Sequence, residues 1–507
     1  MALNNVRFVL GQGGLGRPLP GQDHISGIIF YTSNLPSGFS NTNRIKQFFS
    51  VSDAEAAGIL GNYNDETQAT ASYLVTAVGA NGNTLNISVT EPFGIVVNLG
   101  VYTKSASEAA VGDVASAIAG IINSGTLMHG YTATANTATV TIKARKGLGV
   151  ALNTGTPITI TIVGTIAGTL TQFTGGVGSA QAVWHYHISE YFRIQPQGNL
   201  YVGFFAIPGS YTFSEIATLQ NYANGEIRQV GIYKDGAAFS TADLIAIHGV
   251  CNTLANTHKE IIGLYAADLS GTTDISILTD LSTLSANLSS AIISQDGAAL
   301  GAQLFYAYGK SITTLGATLG AISLAKVSES IAWVQKFNIS NGTECDTLAF
   351  ANGKLFSDAS ISDNLLSTLQ DKRYIFLRKF VGIAGSYFNE NSTAISVTSD
   401  YAYIADNRTI QKATRGVYQS LVPALNGPIV LNSDGTLTDT YTSYLETLAE
   451  TNLNQMVRDG ELSAQDVVIN PQQNVLQTGQ VVITISLVPI GTARNIIVNI
   501  GFNVSIN

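Results

Sequence analysis

Residues 199–270 read NLYVGFFAIPGSYTFSEIATLQNYANGEIRQVGIYKDGAAFSTADLIAIHGVCNTLANTHKEIIGLYAADLS. Short apolar runs (NLYVGFFAIPG, EIRQVGIYK, IIGLYAADLS) alternate with two helix-like stretches, SEIATLQNYANG and TADLIAIHGVCNTLANTHKE. The rhythm continues through SAIISQDG and the apolar helix around ITTLGATLGAISLAKVSESIAWV. Parallel strands need crossovers long enough for a helix, so this alternation predicts a parallel sheet covered on both faces. The fold class is therefore α/β and α+β in several domains, with residues 178–340 as the parallel α/β middle domain.

Upstream the pattern changes. Residues 71–177 carry Thr alternating with Val or Ile, as in NTLNISVT, YTATANTATVTIKARK and TPITITIVGTIAGTLTQFTGG. That pattern suits half-exposed strands and predicts a small β-rich insertion domain. Asn81-Gly82 reads as a hairpin turn, and 105–125 as a helix capped by Ser107 and stopped near Gly125. Residues 1–30 read as an N-terminal arm and first strands around VRFVL and ISGIIFYTS; 31–70 holds a short helix and a linker. WHYHISEYF, 184–192, reads as a strand. Downstream, 341–494 forms the C-terminal core domain. Its helix 441–458 shows Tyr441, Tyr444, Leu445, Leu448, Met456 and Val457 at helical spacing. A strand at 481–488 precedes Pro489 and the connector GTARN.

The chain has 507 residues, room for about three domains. Only 12% of residues are charged, against roughly 25% in ordinary soluble proteins. So few charges on so large a chain point to a surface covered by partners. The net charge of −9, with no basic block, argues against nucleic-acid binding. No secretory signal and no apolar run long enough for a membrane span is read. Two cysteines, Cys251 and Cys345, make neither a disulfide framework nor a CxxC metal site.

Candidate chemistry is sparse. Gly11–Gly16, GQGGLG, fits a dinucleotide motif, but Pro18 and Pro20 forbid the helix that would receive a pyrophosphate. His185 and His187, with Glu190 nearby, could share a metal on a strand, yet no third ligand at a fitting spacing is visible. Cys251, one turn from His248, reads as buried rather than nucleophilic. No cofactor, metal or catalytic residue is expected, and the chain reads as a non-enzyme.

The end of the chain is the unusual feature. In NIIVNIGFNVSIN, 495–507, Ile496, Val498, Ile500, Phe502, Val504 and Ile506 fall on one face of a strand. Burying six such side chains yields on the order of 10 kcal/mol, and ordering the segment costs a similar amount. A single docking is marginal; repeated strand addition through an assembly is robust. Folding back on its own sheet is the alternative.

The segments GIAGSYFNENSTAISVTSDYAYIADNRTIQKATRGVYQSLVPALNGPI and NLNQMVRDGELSAQDVVINPQQNVLQTGQVVITISLVPIGTARNIIVNIGFNVSIN carry a family resemblance. Their order, Tyr-x-x-Ile-x-Asp-x-Arg, then Lys-Ala-x-Arg, a Pro, a second helix and closing strands, resembles the C-terminal domain of contractile tail sheath proteins of phages and injection systems. WHYHISEYFRIQPQGNLYVGFFAIPG is similar to a subgroup of sheath proteins, and the block ending TQFTGGV resembles a β-rich insertion seen in some tail proteins, which together suggest an insertion-bearing subgroup. The resemblance implies a tail-sheath-like C-terminal core domain with terminal β-arms, and six-fold rings stacked helically around an inner tube. It makes Val6, Phe8 and Leu10 an N-terminal donor, and Ile496 to Ile506 a C-terminal donor. Val481, Ile483, Ile485 and Leu487 form a receiving strand. A helix bearing Glu446, Glu450, Gln455 and Arg458 would face the tube. Partners would be further copies of the chain, the tube protein, baseplate and tail terminator, in a virion tail assembled in the host cytoplasm. A surface-layer or fimbrial strand donor, and a nucleotide-binding α/β enzyme, are the alternatives.

Overall fold

The computed structural model describes residues 22–235 and 238–502. The chain divides into two compact units. Among the described residues the larger holds His24–Leu324 and Ile331–Ser399; the smaller holds 22–23, Ala325–Ser330 and 400–502.

The larger unit is built on a six-stranded sheet whose centre is Ile25–Tyr31. Its sequence ISGIIFY is buried at every position, as expected of a strand covered on both faces. It pairs in parallel with Asn199–Phe205 on one side and Gln229–Tyr233 on the other. Ile262–Ala266 and Ser289–Ile292 continue the sheet in parallel, while Ile45–Phe48 closes the far edge antiparallel. Counted along the chain, the parallel strands lie in the order 2-1-3-4-5, one of the two common doubly wound orders.

Both faces are covered closely enough to require glycine. A Cβ on Gly27 would stand 2.7 Å from Leu219 of the helix Glu215–Tyr222. On the opposite face a Cβ on Gly231 would meet Leu315 of the helix Leu315–Leu324 at 3.2 Å. That helix is buried on all sides up to Leu324, so it shows no polar stripe. Its partner on this face is Ala180–Ile194, which contains WHYHISEYF. The expected strand there is thus a helix, capped by the Ser179 hydroxyl accepting from the Ala182 N–H at 3.0 Å. Trp184, Tyr186, His187, Ile188, Tyr191 and Phe192 are all buried, and burial around most of the circumference erases the helical period from the sequence.

Between Thr67 and Val177, which bridge each other, lies the expected β-rich insertion. It has two sheets and a core of its own. One sheet runs Thr132–Asn136, Thr139–Lys143, Thr70–Ala77, Ala167–Thr174; the other runs Val96–Thr103, Thr84–Thr90, Ile158–Val163. Asn81-Gly82 is therefore not a hairpin turn, because Thr70–Ala77 and Thr84–Thr90 belong to different sheets. The Asn83 side chain shapes that corner, accepting from the N–H groups of Ala80 at 2.9 Å and Thr165 at 2.7 Å. The insertion's helix is Val111–Ser124 and starts after Ala110, not at Ser107. The Asp113 carboxylate takes the N–H groups of Ala109 and Ala110 and supplies the cap instead.

Two other boundaries move. Ile25–Tyr31, grouped by sequence with the N-terminal arm, is the heart of the sheet. Residues 331–399 belong to the larger unit, so the C-terminal unit begins near 400 rather than 341. The reason is backbone bonding: Leu348–Phe350 pairs with Ser294–Asp296, and Ile375 exchanges bonds with Ala291 and Ile293.

In the smaller unit the helices Ile404–Leu421 and Asp439–Arg458 pack together and against an antiparallel pair, Leu462–Val468 with Thr484–Pro489. Ala413, Ala449, Leu453, Met456, Leu462 and Val467 make the core.

Candidate functional site

The strand Thr484–Pro489 alternates in burial, Ile485 and Leu487 turning inward and Thr484 and Ser486 outward. Ile483, Ile485 and Leu487 lie against the unit's core but stay only partly buried. Val481 does the same against Leu437, Leu445 and Ile469. Among the described residues this sheet has two strands, so each offers one edge without a neighbouring strand. Such an edge is a template for another chain.

Beyond it the chain runs out along 490–502 without secondary structure. Ile496, Val498, Ile500 and Phe502 are 81, 75, 94 and 112% exposed. The structure keeps Ile485 and Leu487 of the expected receiving strand within Thr484–Pro489 but places Val481 and Ile483 ahead of it, outside the strand, and it puts the described part of the C-terminal donor in the same unit, unburied. Val6, Phe8, Leu10, Val504 and Ile506 lie outside the described residues, as does the glycine-rich Gly11–Gly16.

A charge cluster that sequence reading missed sits on the helix Ile404–Leu421. Arg408, Lys412 and Arg415 follow i, i+4, i+7 spacing, which puts them on one stripe. They converge on Asp23. Lys412 Nζ lies 2.7 Å from one carboxylate oxygen, Arg415 3.2 Å from the other, and Arg408 donates to the Asp23 carbonyl at 3.1 Å. Lys412 also meets Glu461 at 2.7 Å, and Arg408 donates to the carbonyls of Ala325 and Lys326. Burial works against the Asp23 charge, but Lys412, Arg408 and Arg415 outweigh it and hold the carboxyl below its ordinary value. For Glu461 burial prevails and pushes the carboxyl up. Burial also draws the Arg408 guanidinium down to about 10. The spacing was visible in the sequence; the partner, 389 positions from Lys412, was not. At the start of the same helix Arg494 stacks over the Tyr403 ring, 3.5 Å from its centre.

The helix expected to face a tube presents Ser443, Tyr444, Thr447, Thr451 and Arg458 to solvent. Glu446 is half-buried and accepts from the Ile469 N–H at 3.0 Å, and Gln455 donates to Asp459 at 2.9 Å. Glu450 is half-buried.

The residues weighed for chemistry are dispersed. His185 pairs with Glu55 at 2.9 Å, while Glu190 pairs with Arg193 at 2.6 Å. His187 is fully buried beside Phe30 and Tyr233, and burial pushes its imidazole down to about 3. On the helix, i and i+2 point to different sides, which separates the two histidines. Burial raises the Cys251 thiol to about 12, and Cys345 is likewise raised, so neither is a ready thiolate. No cluster of three or more potential metal ligands occurs among the described residues. Nor, among them, is any helix long and apolar enough to cross a membrane.

Doubly wound sheets hold ligands at the carboxyl ends of strands where the winding reverses. Here that is the exit of Ile25–Tyr31 and Gln229–Tyr233. Tyr31 donates to Glu215 at 3.0 Å, Lys234 meets Asp243 at 2.6 Å, and Tyr265 donates to Asp243 at 2.8 Å. Tyr211 packs edge-on against Tyr31 with ring centres 4.9 Å apart, beneath the Lys234 ammonium. Among the described residues, these polar groups pair with one another beside the packed aromatic rings.

A model of the DUF2586 N-terminal domain matches residues 3–392, and one of the DUF2586 C-terminal domain matches 400–507. The chain belongs to the DUF2586 family. The division between the two DUF2586 domains falls where the chain passes from the larger compact unit to the smaller. No curated protein matches this DUF2586 chain. Among solved structures, the contracted helical sheath of the anti-feeding prophage is similar with a TM-score of 0.45 and 14% identity, over 62% of this chain and 81% of that one. The six-fold symmetrised baseplate of the same prophage gives 0.43 and 13%, over 63% and 80%. The contracted PVC sheath complex of an extracellular contractile injection system gives 0.41 and 16%, over 63% and 80%.

Proposed function

We propose that this DUF2586 protein is a structural subunit of a contractile tail sheath, with no catalytic role. In this reading its copies form six-fold rings stacked around an inner tube, linked by N- and C-terminal strands that complete sheets in neighbours. Contraction of the stack drives the tube through the target envelope. The tube, baseplate and tail terminator are its further partners, in a virion tail assembled in the host cytoplasm. The N-terminal donor would be Val6, Phe8 and Leu10, and the helix Asp439–Arg458 would face the tube through Arg458 and the half-buried Glu446, Glu450 and Gln455.

One observation carries the reading. An alternating apolar segment with Ile496, Val498, Ile500 and Phe502 in water belongs to the same unit as a two-stranded sheet whose inward residues are half covered. An exposed apolar row of that kind marks an interaction surface. The strand motif supplies the fit: a third strand along an open edge gains backbone hydrogen bonds and buries alternate side chains together. The order of motifs from Tyr401 to Asn507 supplies the sheath assignment.

Electron microscopy of the purified protein tests it. The full chain is expected to form tubes or stacked rings, and a chain ending at 494 is expected to stay monomeric with its fold intact by circular dichroism. Tubes formed by the shortened chain would overturn strand donation.

A further inference from the structure

We propose that the helix Ile404–Leu421 is a two-ended anchor, fixing the root of the N-terminal arm through Asp23 and the root of the C-terminal arm through Arg494. The proposal rests on the strand-exchange reading for its purpose, and on geometry for its substance.

Asp23 is the last residue of the N-terminal segment assigned to the smaller unit. Its carboxylate and carbonyl are bound by Lys412, Arg415 and Arg408 over two turns of one helix. Asp23 and Glu461 both meet Lys412, Asp23 also meets Arg415, and Glu329 adds its charge near Arg408, so the cations are held by acidic partners. Arg408 and Arg415 are buried, and charged groups there are costly without partners. The contact is therefore a fixed point rather than a surface ion pair.

From the C-terminal side Arg494 sits over the Tyr403 ring, 3.5 Å from its centre, and Tyr403 is the residue at the N-cap position of the same helix. A guanidinium over an aromatic face is a directional contact that a lysine replaces poorly. Arg494 is the last residue but one before the alternating apolar stretch begins at Ile496. The GTARN connector is thus held at its fourth residue, and the free length of the C-terminal arm starts after it. A pull on either arm reaches the same rigid element. Two links leaving one helix keep a defined spacing when neighbours move, which two links leaving separate loops would not.

The test uses the full chain and two independent variants. Arg494→Ala changes an exposed residue; Arg494→Lys keeps the charge without the planar stack. Both are expected to assemble tubes at least several-fold less efficiently in electron micrographs, while Tm stays within about 1–2 °C of the parent. Asp23→Asn is expected to lower Tm by about 5–10 °C and to raise amide exchange across Ile404–Leu421, with Asp23→Glu recovering part of both. Amide exchange is read on the unassembled protein, so it reports the N-terminal anchor whether or not strands are exchanged. Unchanged exchange with Asp23→Asn, or parental tube yield with Arg494→Ala, overturns the anchor. Tubes from the chain ending at 494 overturn strand exchange instead, and leave the exchange result standing.

Discussion

The molecule contains a finished sheet and an unfinished one. In the larger unit, Ile25–Tyr31 is buried from end to end and both faces carry helices. In the smaller unit, Thr484–Pro489 has one strand partner among the described residues, and its inward residues stay half covered. The same residue types, Ile, Val and Leu, serve both. The difference is how many neighbours the chain itself supplies. A sheet that the chain completes is a scaffold; a sheet that it leaves open has stability still to gain from a further strand.

Substitutions can break this contrast or sharpen it. The largest effect is expected at Ile28, fully buried in the central strand. Ile28→Asp places an unpaired charge there and should exceed the few kcal/mol by which domains are stable, leaving the larger unit unfolded by circular dichroism. Next comes a matched pair. Ile232→Ala, at a fully buried site, should cost about 2–5 kcal/mol in denaturant titrations. Ile485→Ala in the unassembled chain should cost about 1 kcal/mol or less, because its side chain is only half removed from water. If Ile485→Ala costs as much as Ile232→Ala before assembly, the smaller sheet is not unfinished and the contrast fails.

A further effect appears only on acidification, as a pH slope. His187 has its folded pKa pushed down to about 3, from an ordinary 6.5. The unfolded chain then binds the proton more readily, so stability is whole above pH ~6.5 and falls as pH drops from there toward 3. The expected loss is at most about 1.4 kcal/mol per pH unit. His187→Phe should fit among Phe30 and Tyr233 and flatten that slope between pH 6.5 and 4, as read by Tm against pH. Asp23 acts lower down. Its folded pKa lies below the ordinary 3.8, so its contribution is present above that value and lost as pH falls through the folded one.

How far the sequence disclosed this follows the range of the interactions. The middle domain was legible because NLYVGFF, QVGIY and IIGLYAA are short apolar runs separated by helices, a local pattern with one common solution. The insertion was legible from its Thr alternation. WHYHISEYF misled because a helix buried around most of its surface shows no period, and its aromatic and branched residues favour strands. The central place of Ile25–Tyr31 was illegible because its partners begin at Asn199 and Gln229, and pairing at that distance leaves no local trace. The same holds for the cluster on Ile404–Leu421: Arg408, Lys412 and Arg415 announce a charged stripe, but nothing near them names Asp23. The strand Leu462–Val468 was missed because LSAQDVV carries polar residues in its middle. The apolar alternation of Ile496 to Phe502 was plain in the sequence, and the structure shows how exposed those side chains are.

The β-rich insertion enters and leaves at a single place. Thr67 and Val177 exchange backbone hydrogen bonds at 3.0 and 2.8 Å, so its two feet stand side by side. A segment attached that way behaves like a cartridge in a socket. Excising it would let the chain be rejoined across one short gap, at the cost of its contacts with the helix Leu300–Tyr308, where the Val150 N–H donates to the Ala307 carbonyl at 2.9 Å and Phe93 packs edge-on against Tyr306.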